Sequence, residues 1–354
     1  MKTENWKKVR LGDILLIQKK SKIKASDGIE NGIYPFFTCS NDIVRTYNSA
    51  QYKGPALIFG TGGKASVHFC DTEFSTSTDC LTYYPVSSEI NLDLVNQYIQ
   101  SNIYLLENGF KGAGLKHVSR DYIANIEINL PDIKTQNCIV QKLNKAKNII
   151  SNSKKLLTKY DTLIKSRFIE MFGDPVLNEK KWDLMTLPEL GEFGRGVSKH
   201  RPRNAPELLG GKYPLIQTGD VASANLYITK YDSTYSEVGF KQSKMWKAGT
   251  LCITIAATIA KTAILTFDSC FPDSVVGFTP NGKTNSLFIN YWFSFFQKIL
   301  EDQAPAVAQK NINLQVLSEL QIITPPKQLQ DAFATFVQQI DKSKFEYTYT
   351  GVAA

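Results

Sequence analysis

Two short apolar runs rich in branched side chains interrupt an otherwise mixed chain: ALIFG at 56–60 and LCITIA at 251–256. Each is bounded by glycine or polar residues, the signature of a buried strand. SVHFCD and AILTFD follow them as hairpin partners. NLDLVNQYIQSNIYLLENG is different, being apolar at 92, 95, 98, 99, 103 and 106, a helical stripe that should stop near Gly109. YIANIEINLP (122–131) and LSELQIITPP (317–326) each read as a last strand stopped by proline. From 135 to 172 the period changes, with no Pro or Gly before Gly173. Apolar residues recur at Ile139, Leu143, Ala146, Ile150, Leu157, Tyr160, Ile164 and Met171, with Ser153 and Arg167 at the polar steps. That spacing predicts a coiled-coil seam, on a helix roughly 50 Å long at about 1.5 Å per residue. GDP at 173–175 ends it. A single core helix is the simpler alternative, but such a long helix with a charged outer face needs a partner for its seam.

The pattern occurs twice. LKHVSRDYIANIEINLPDIKTQ at 115–136 is answered by QKNINLQVLSELQIITPPKQLQ at 309–330, with Lys116, Val118, Pro131 and Gln136 facing Lys310, Ile312, Pro325 and Gln330 at an offset of 194. GIYPFFTCSNDI at 32–43 faces GKYPLIQTGDV at 211–221. NLDLVNQYIQSNIYLL at 91–106 faces NSLFINYWFSFFQKIL at 285–300. A period this long makes each unit a whole domain rather than a solenoid repeat. Phe333, Val337 and Ile340 match Ile139, Leu143 and Ala146, so a second, shorter seam helix is expected. The fold class expected is α/β (α+β), two similar globular domains with small mixed or antiparallel sheets. Long antiparallel helices of pseudo-two-fold symmetry separate them. The expected boundaries are 1–134 and 174–327 for the domains, 135–173 and 328–345 for the helices, and 346–354 for a disordered tail.

Composition adds limits. A length of 354 residues accommodates two cores, and 43% hydrophobic with 21% charged residues is ordinary for a globular protein. No apolar run reaches membrane-spanning length and MKTENWKKVRLGD carries no signal-peptide core, so a cytoplasmic location is expected. The six cysteines form no CxxC pair and the three histidines no HxxxH pair, so no metal and no cofactor is expected. Net charge is +8, and residues 135–175 hold eight Lys and Arg against three Asp and Glu. Such a balance permits a nucleic-acid partner without requiring one.

A domain opened by a tryptophan and leucines, a Tyr-Pro turn, an apolar strand with a Gly/Thr-rich loop, an LP…Q boundary, a long helix, FGDP, and then the same order again: this resembles the specificity subunit of type I restriction–modification systems, over Trp6 to about Lys344. The resemblance implies a non-catalytic DNA reader whose two target-recognition domains each contact half of a bipartite, asymmetric double-stranded site. It implies helices that set the spacer and dock two methylation subunits, with motor–nuclease subunits joining through the complex. It implies adenine methylation by the complex, and neither a membrane nor a small-molecule substrate. The short second helix and the tail EYTYTGVAA depart from the family pattern.

Loops that mix cations with amides and hydroxyls are candidates to contact DNA, since Arg suits guanine, Asn or Gln suits adenine, and Lys suits phosphate. In the first domain these are Lys19, Lys20, Lys22, Lys24, Arg45, Thr61, Lys64, Ser66, Lys111, Lys116, His117 and Arg120. In the second they are Arg195, Lys199, His200, Arg201, Arg203, Lys241, Lys244, Lys261, Gln309, Lys310, Asn311 and Asn313. Any single lysine is more often a plain solvated charge. GRGVSKHRPRN stands apart, with five basic residues and no acid in eleven positions. His117 and His200 have no nucleophile or carboxylate partner in sequence. FGTGGKAS fails the phosphate-loop pattern, because Ala65 follows Gly63-Lys64 and Ile58 stands where the first glycine belongs. No methyltransferase box, methyl-donor glycine motif or PD…ExK cluster is found. A standalone nuclease or fused restriction–methylation protein is the rival from the enzyme class, and a protein-binding scaffold is the other.

Overall fold

The structure is a computed structural model that describes residues 6–43, 45–256, 260–303 and 314–350. It divides into two units, Met1–Asn152 and Ser153–Ala354. Four helices organise them: α1 (Leu92–Ser101), α2 (Ile133–Phe172), α3 (Ser286–Gln303) and α4 (Lys327–Thr350). The division falls inside α2, a 40-residue helix. At about 1.5 Å per residue it is roughly 60 Å long.

In the first unit the described residues form two four-stranded sheets and a two-stranded ribbon. One sheet orders Leu15–Ile17, Cys80–Pro85, Ala56–Gly60 and Ser66–Cys70, all antiparallel. The other pairs Tyr34–Phe37 antiparallel with Arg45–Tyr47 and parallel with Glu73–Thr76. ALIFG is apolar without alternation because both its faces are covered. Leu57 and Phe59 join the core under Val95 and Ile99 of α1, while Ala56 and Ile58 pack with Phe37 and Phe74 of the other sheet. The hairpins expected at 56–70 and 251–265 are present, Ile58 facing His68 and Cys252 facing Ala263.

The second unit repeats the plan, with a five-stranded sheet, a four-stranded sheet and a ribbon among its described residues. Leu251 and Ile253 face α3, and Cys252 faces the opposite cluster with Trp246 and Phe271.

Three expectations are corrected. The stripe from 92 does not run unbroken to Gly109: α1 stops at Asn102 and resumes as a single turn, Tyr104–Glu107. The segments 122–131 and 317–326 are not whole strands. Each opens as a short helix, Arg120–Ala124 and Leu314–Glu319, leaving Glu127–Leu130 and Ile322–Ile323 as strands. The second long helix does not stop at 345, since α4 continues to Thr350. Residues 351–354 of the expected tail lie outside the described residues.

A glutamine brackets the base of each unit. Gln136 is 2% exposed; its amide donates to the carbonyls of Glu89 (3.0 Å) and Pro131 (2.8 Å) and accepts from the Asn91 N–H (2.8 Å). Gln330, 0% exposed, donates to Lys283 (3.1 Å) and Pro325 (2.8 Å) and accepts from the Thr284 hydroxyl (2.7 Å). Each ties the proline-ended strand, the loop before the packing helix and the long helix into one joint. Asp132 adds an N-cap to α2 by accepting from Thr135 N–H and Oγ1, which holds its carboxyl below the usual range. At the far end Gly173 takes a left-handed φ of +78° and closes the helix, donating to Ile169 O at 2.7 Å. Lys180 Nζ and Trp182 Nε1 satisfy the last carbonyls of Glu170, Met171 and Phe172.

The long helices pair within the second unit. Phe172 and Phe168 meet Phe333, Arg167 lies over Phe336, and Asp161 accepts from Lys344. The index falls on α2 as it rises on α4, so they run antiparallel. The buried line on α2 is Ile164, Phe168 and Phe172, each 0% exposed, and not the Ile164–Arg167–Met171 course of the heptad. The reason is that α2 packs against α3 as well as α4, through Phe288 and Phe295. A helix with two neighbours buries a wider, rotated face than a two-helix seam does. Met171 and Ile340 pack at the margin of this core, Phe333 and Val337 lie inside it, and Leu157 and Tyr160 are half-buried. On the first unit Ile139 joins the core, whereas Leu143 (40%), Ala146 and Ile150 (56%) are exposed.

Candidate nucleic-acid interface

In the first unit the structure brings most of the candidate loops together. Gly63 N–H donates to Lys116 O (3.1 Å), Val118 N–H to Thr61 O (3.1 Å), and Lys111 and His117 exchange backbone bonds. The ring of His117 lies 3.2 Å from Thr61 O through Nδ1 and so serves as a strut between loops. A Cβ on Gly62 would meet that ring at 3.1 Å, and Gly63 sits at φ +78°, so both glycines are needed for this approach. Asp79, which the sequence did not mark, is the hub. Its carbonyl accepts from Thr61 N–H and Oγ1 (both 2.8 Å) and from Cys39 Sγ (3.0 Å). Next to it Thr78 N–H reaches Ile23 O at 2.8 Å, bringing in the loop of Lys20, Lys22 and Lys24. Arg45 braces the turn that follows, its guanidinium donating to Ala25 O and Gly28 O at 3.2 Å each.

Lys20, Lys22, Lys24, Lys64, Lys111 and Lys116 are exposed around this hub, and no ion pair among the described residues engages them. Arg120 is also exposed, 3.9 Å from Asp121. Ser66 is the exception: at 1% exposure it lies inside the hairpin against Gly60, out of reach of any ligand. Cys39 sits at the centre of the face. Hydrogen bonding from the Cys80 thiol, helped by the Gly62 and Thr61 amides, lowers its pKa below the usual thiol range. The same bond and burial push the Cys80 thiol up.

The second unit holds its cations differently. Arg201 donates to Ser198 O (2.7 Å) and His200 O (2.8 Å), and both Arg201 and Arg203 pair with Asp273. Gln242 receives the backbone N–H of His200 and of Lys199. His200 stands 3.6 Å from Glu207. Lys244 pairs with Glu192 at 2.5 Å and lies 3.8 Å over the Trp246 ring. The basic loop is thus folded on itself around one carboxylate 70 residues downstream, a partner no local reading could supply. Arg195, Lys199 and Lys241 are exposed, and Lys261 is half-buried beside Thr254. Gln309, Lys310, Asn311 and Asn313 lie outside the described residues. Among the described residues no group of His, Cys, Asp and Glu is placed to hold a metal ion, and no helix is long and apolar enough to cross a membrane.

The chain is thus a duplicated α/β module, each copy closed by the same glutamine joint and presenting basic loops. The sequence profile described as type I restriction modification DNA specificity domain matches residues 3–159 and again 179–350, and the chain belongs to that family. It is 22% identical over 161 residues to the type I restriction enzyme EcoDI specificity subunit of Escherichia coli, covering 46% of this chain and 35% of that protein. It is 22% identical over 233 residues to the MjaVIII specificity subunit of Methanocaldococcus jannaschii, covering 59% and 51%. The chain therefore spans between a third and a half of these relatives. In fold it is similar to the type I restriction–modification S subunit from M. genitalium, with a TM-score of 0.71 at 15% identity over 99% of this chain and 92% of that one.

Proposed function

We propose that this chain is the non-catalytic DNA-specificity subunit of a cytoplasmic type I restriction–modification complex. Each unit reads one half of a bipartite, asymmetric double-stranded site. The single observation that carries this reading is the family match, which falls twice, once on each half of the chain. The clustered lysines of the first unit supply phosphate contacts that set register, and neighbouring polar groups reach base edges. Linking two weak readers makes the second contact intramolecular and multiplies discrimination. Helix α2 sets the unread spacer, and the long helices dock two methylation subunits, through which motor–nuclease subunits join. Chemistry on adenine belongs to those partners, so the chain itself needs no cofactor or small-molecule substrate.

Co-expression with the cognate methylation subunit, followed by genome-wide mapping of methylated adenines, tests this reading. Two half-sites with a fixed gap are expected, and insertion of four residues within 143–165 should alter or abolish the gap. An unchanged gap in that variant would remove α2 from the role of spacer. Methylation without any bipartite motif would remove the reading itself.

A further inference from the structure

Two thiols meet beneath the loops of the first unit. Gly60 and Cys80 are direct partners in the antiparallel pair of Ala56–Gly60 with Cys80–Pro85. Direct partners project to the same face of a sheet, so the Cys80 side chain leaves on the side where a Gly60 Cβ would stand. That space is occupied by Cys39, whose Cα and Cβ lie 3.0 and 3.4 Å from a Cβ built at Gly60. The absence of a side chain at Gly60 is what lets Cys39 approach, and the Cys80 thiol donates a hydrogen bond to it. Cys80 Sγ also lies 3.6 Å from Phe37 O, two residues before Cys39. Neither cysteine is in a disulfide. We propose that Cys39 and Cys80 are an oxidisable dithiol, closed by hydroperoxides to an intramolecular disulfide. The inference goes beyond DNA reading and does not depend on it.

The two sulfurs have different parts. Cys39 is half-buried and within reach of a small oxidant, whereas Cys80 is 1% exposed. Cys39 Sγ lies 3.4 Å from the Gly62 N–H, a donor that favours the thiolate. A reactive, accessible thiolate beside a second, sheltered thiol is the arrangement that oxidation to a disulfide requires. Cys39 thiolate attacks one peroxide oxygen, an S–O bond forms, the O–O bond breaks, and hydroxide leaves. Cys39 is then a sulfenic acid. The bond to Cys39 is the main cause holding the proton on Cys80, and it ends when the thiolate charge is consumed. Cys80 gives up its proton, its sulfur attacks that of Cys39, and water departs as the S–S bond forms. Two thiols and hydrogen peroxide thus yield one disulfide and two waters. The product draws Cys39 off Asp79 O, 3.0 Å away, the carbonyl that also holds the Thr61 loop.

Hydrogen peroxide added to the full chain, followed by quenching, unfolding and peptide mass spectrometry, tests the inference. A Cys39–Cys80 cross-linked peptide is expected, with two of the six thiols lost and both restored by dithiothreitol. Cys39 should react at least tenfold faster than Cys138, the half-buried thiol on α2. In Cys80→Ala the reaction should stop at a Cys39 sulfenic acid that dimedone traps. In Cys39→Ser the cross-link should vanish and Cys80 should stay reduced. A cross-link between other cysteines overturns the proposal, as does oxidation of Cys39 no faster than Cys138. So does a wild-type chain in which dimedone traps Cys39 as readily as in Cys80→Ala, since Cys80 would then not resolve it. DNA binding takes no part in these readouts, so their failure is separate from failure of the reading role.

Discussion

The bases of the two units share one backbone joint and differ in what it encloses. Gln136 and Gln330 make matching bonds to matching carbonyls. Around Gln330 the space is packed with aromatic rings, and around Gln136 it is lined by Leu94, Ile139 and Leu143 and left open. The lesson concerns where duplication tolerates change. A buried amide with three bonds admits no substitute of equal geometry, because each bond lost strands a buried polar group. Apolar packing needs only volume and can drift, provided something fills it or water is admitted at the rim.

The sharpest way to break this comparison is to hollow out the filled side. Phe168→Ala should cost about 3–5 kcal/mol in denaturant unfolding, as expected for a fully buried phenylalanine. Leu143→Ala, its neighbour in kind on the open side, should change stability by about 0.5 kcal/mol or less. Similar costs for the two would mean that the groove is already closed in solution. The joint itself should behave symmetrically. Gln136→Ala and Gln330→Ala should each cost about 1–3 kcal/mol for stranded groups, with hydrogen exchange accelerated at Pro131–Gln136 and Pro325–Gln330 to equal degree.

The loop faces sharpen the contrast at smaller scale. Replacing Lys111 and Lys116 with Ala should lower the slope of log binding constant against log salt by about 2, at roughly 0.9 per phosphate contact. The same change at Arg201 and Arg203 should lower it by about 1 or less, because Asp273 already compensates both. Equal losses would show that the Asp273 pairs open on DNA. The smallest effect is chemical. Cys39 should be alkylated by iodoacetamide with a pH midpoint below that of an ordinary thiol. Below that pH the thiol is protonated and the rate falls; above it the thiolate dominates. The position aligned with Cys39 in the second unit is Thr218, so labelling confined to one face is expected.

Much of the fold was legible because its signals are local. The hairpins were marked by apolar runs, the end of α2 by Gly173, and the two joints by the recurrence of proline and glutamine. What escaped was set by neighbours distant in sequence. The heptad pointed to Met171 because it assumed one partner helix, whereas α3 turns the buried face towards Phe168 and Phe172. Tyr122–Ala124 opens a segment that reads as strand, yet it folds as a helical turn because Ser119 caps it by accepting from Tyr122 N–H. The loop clusters were visible as charge. Their difference in freedom was not, since it rests on Asp79 and Asp273, ordinary surface acids by any local reading. Ser66 passed as a loop hydroxyl because the turn at Gly62–Gly63 ends earlier than its composition suggests.

The glutamine joints have one more consequence. Both are built from main-chain carbonyls and a single side chain, and each closes its unit at the point where the sheets hand the chain over to a long helix. Everything between one helix and the next joint, including the loops that would touch a target, can then be exchanged as a cassette without retooling the hinge-free seat that holds it. Such a seat lets a whole domain be replaced by splicing, with no need to redesign the scaffold residue by residue.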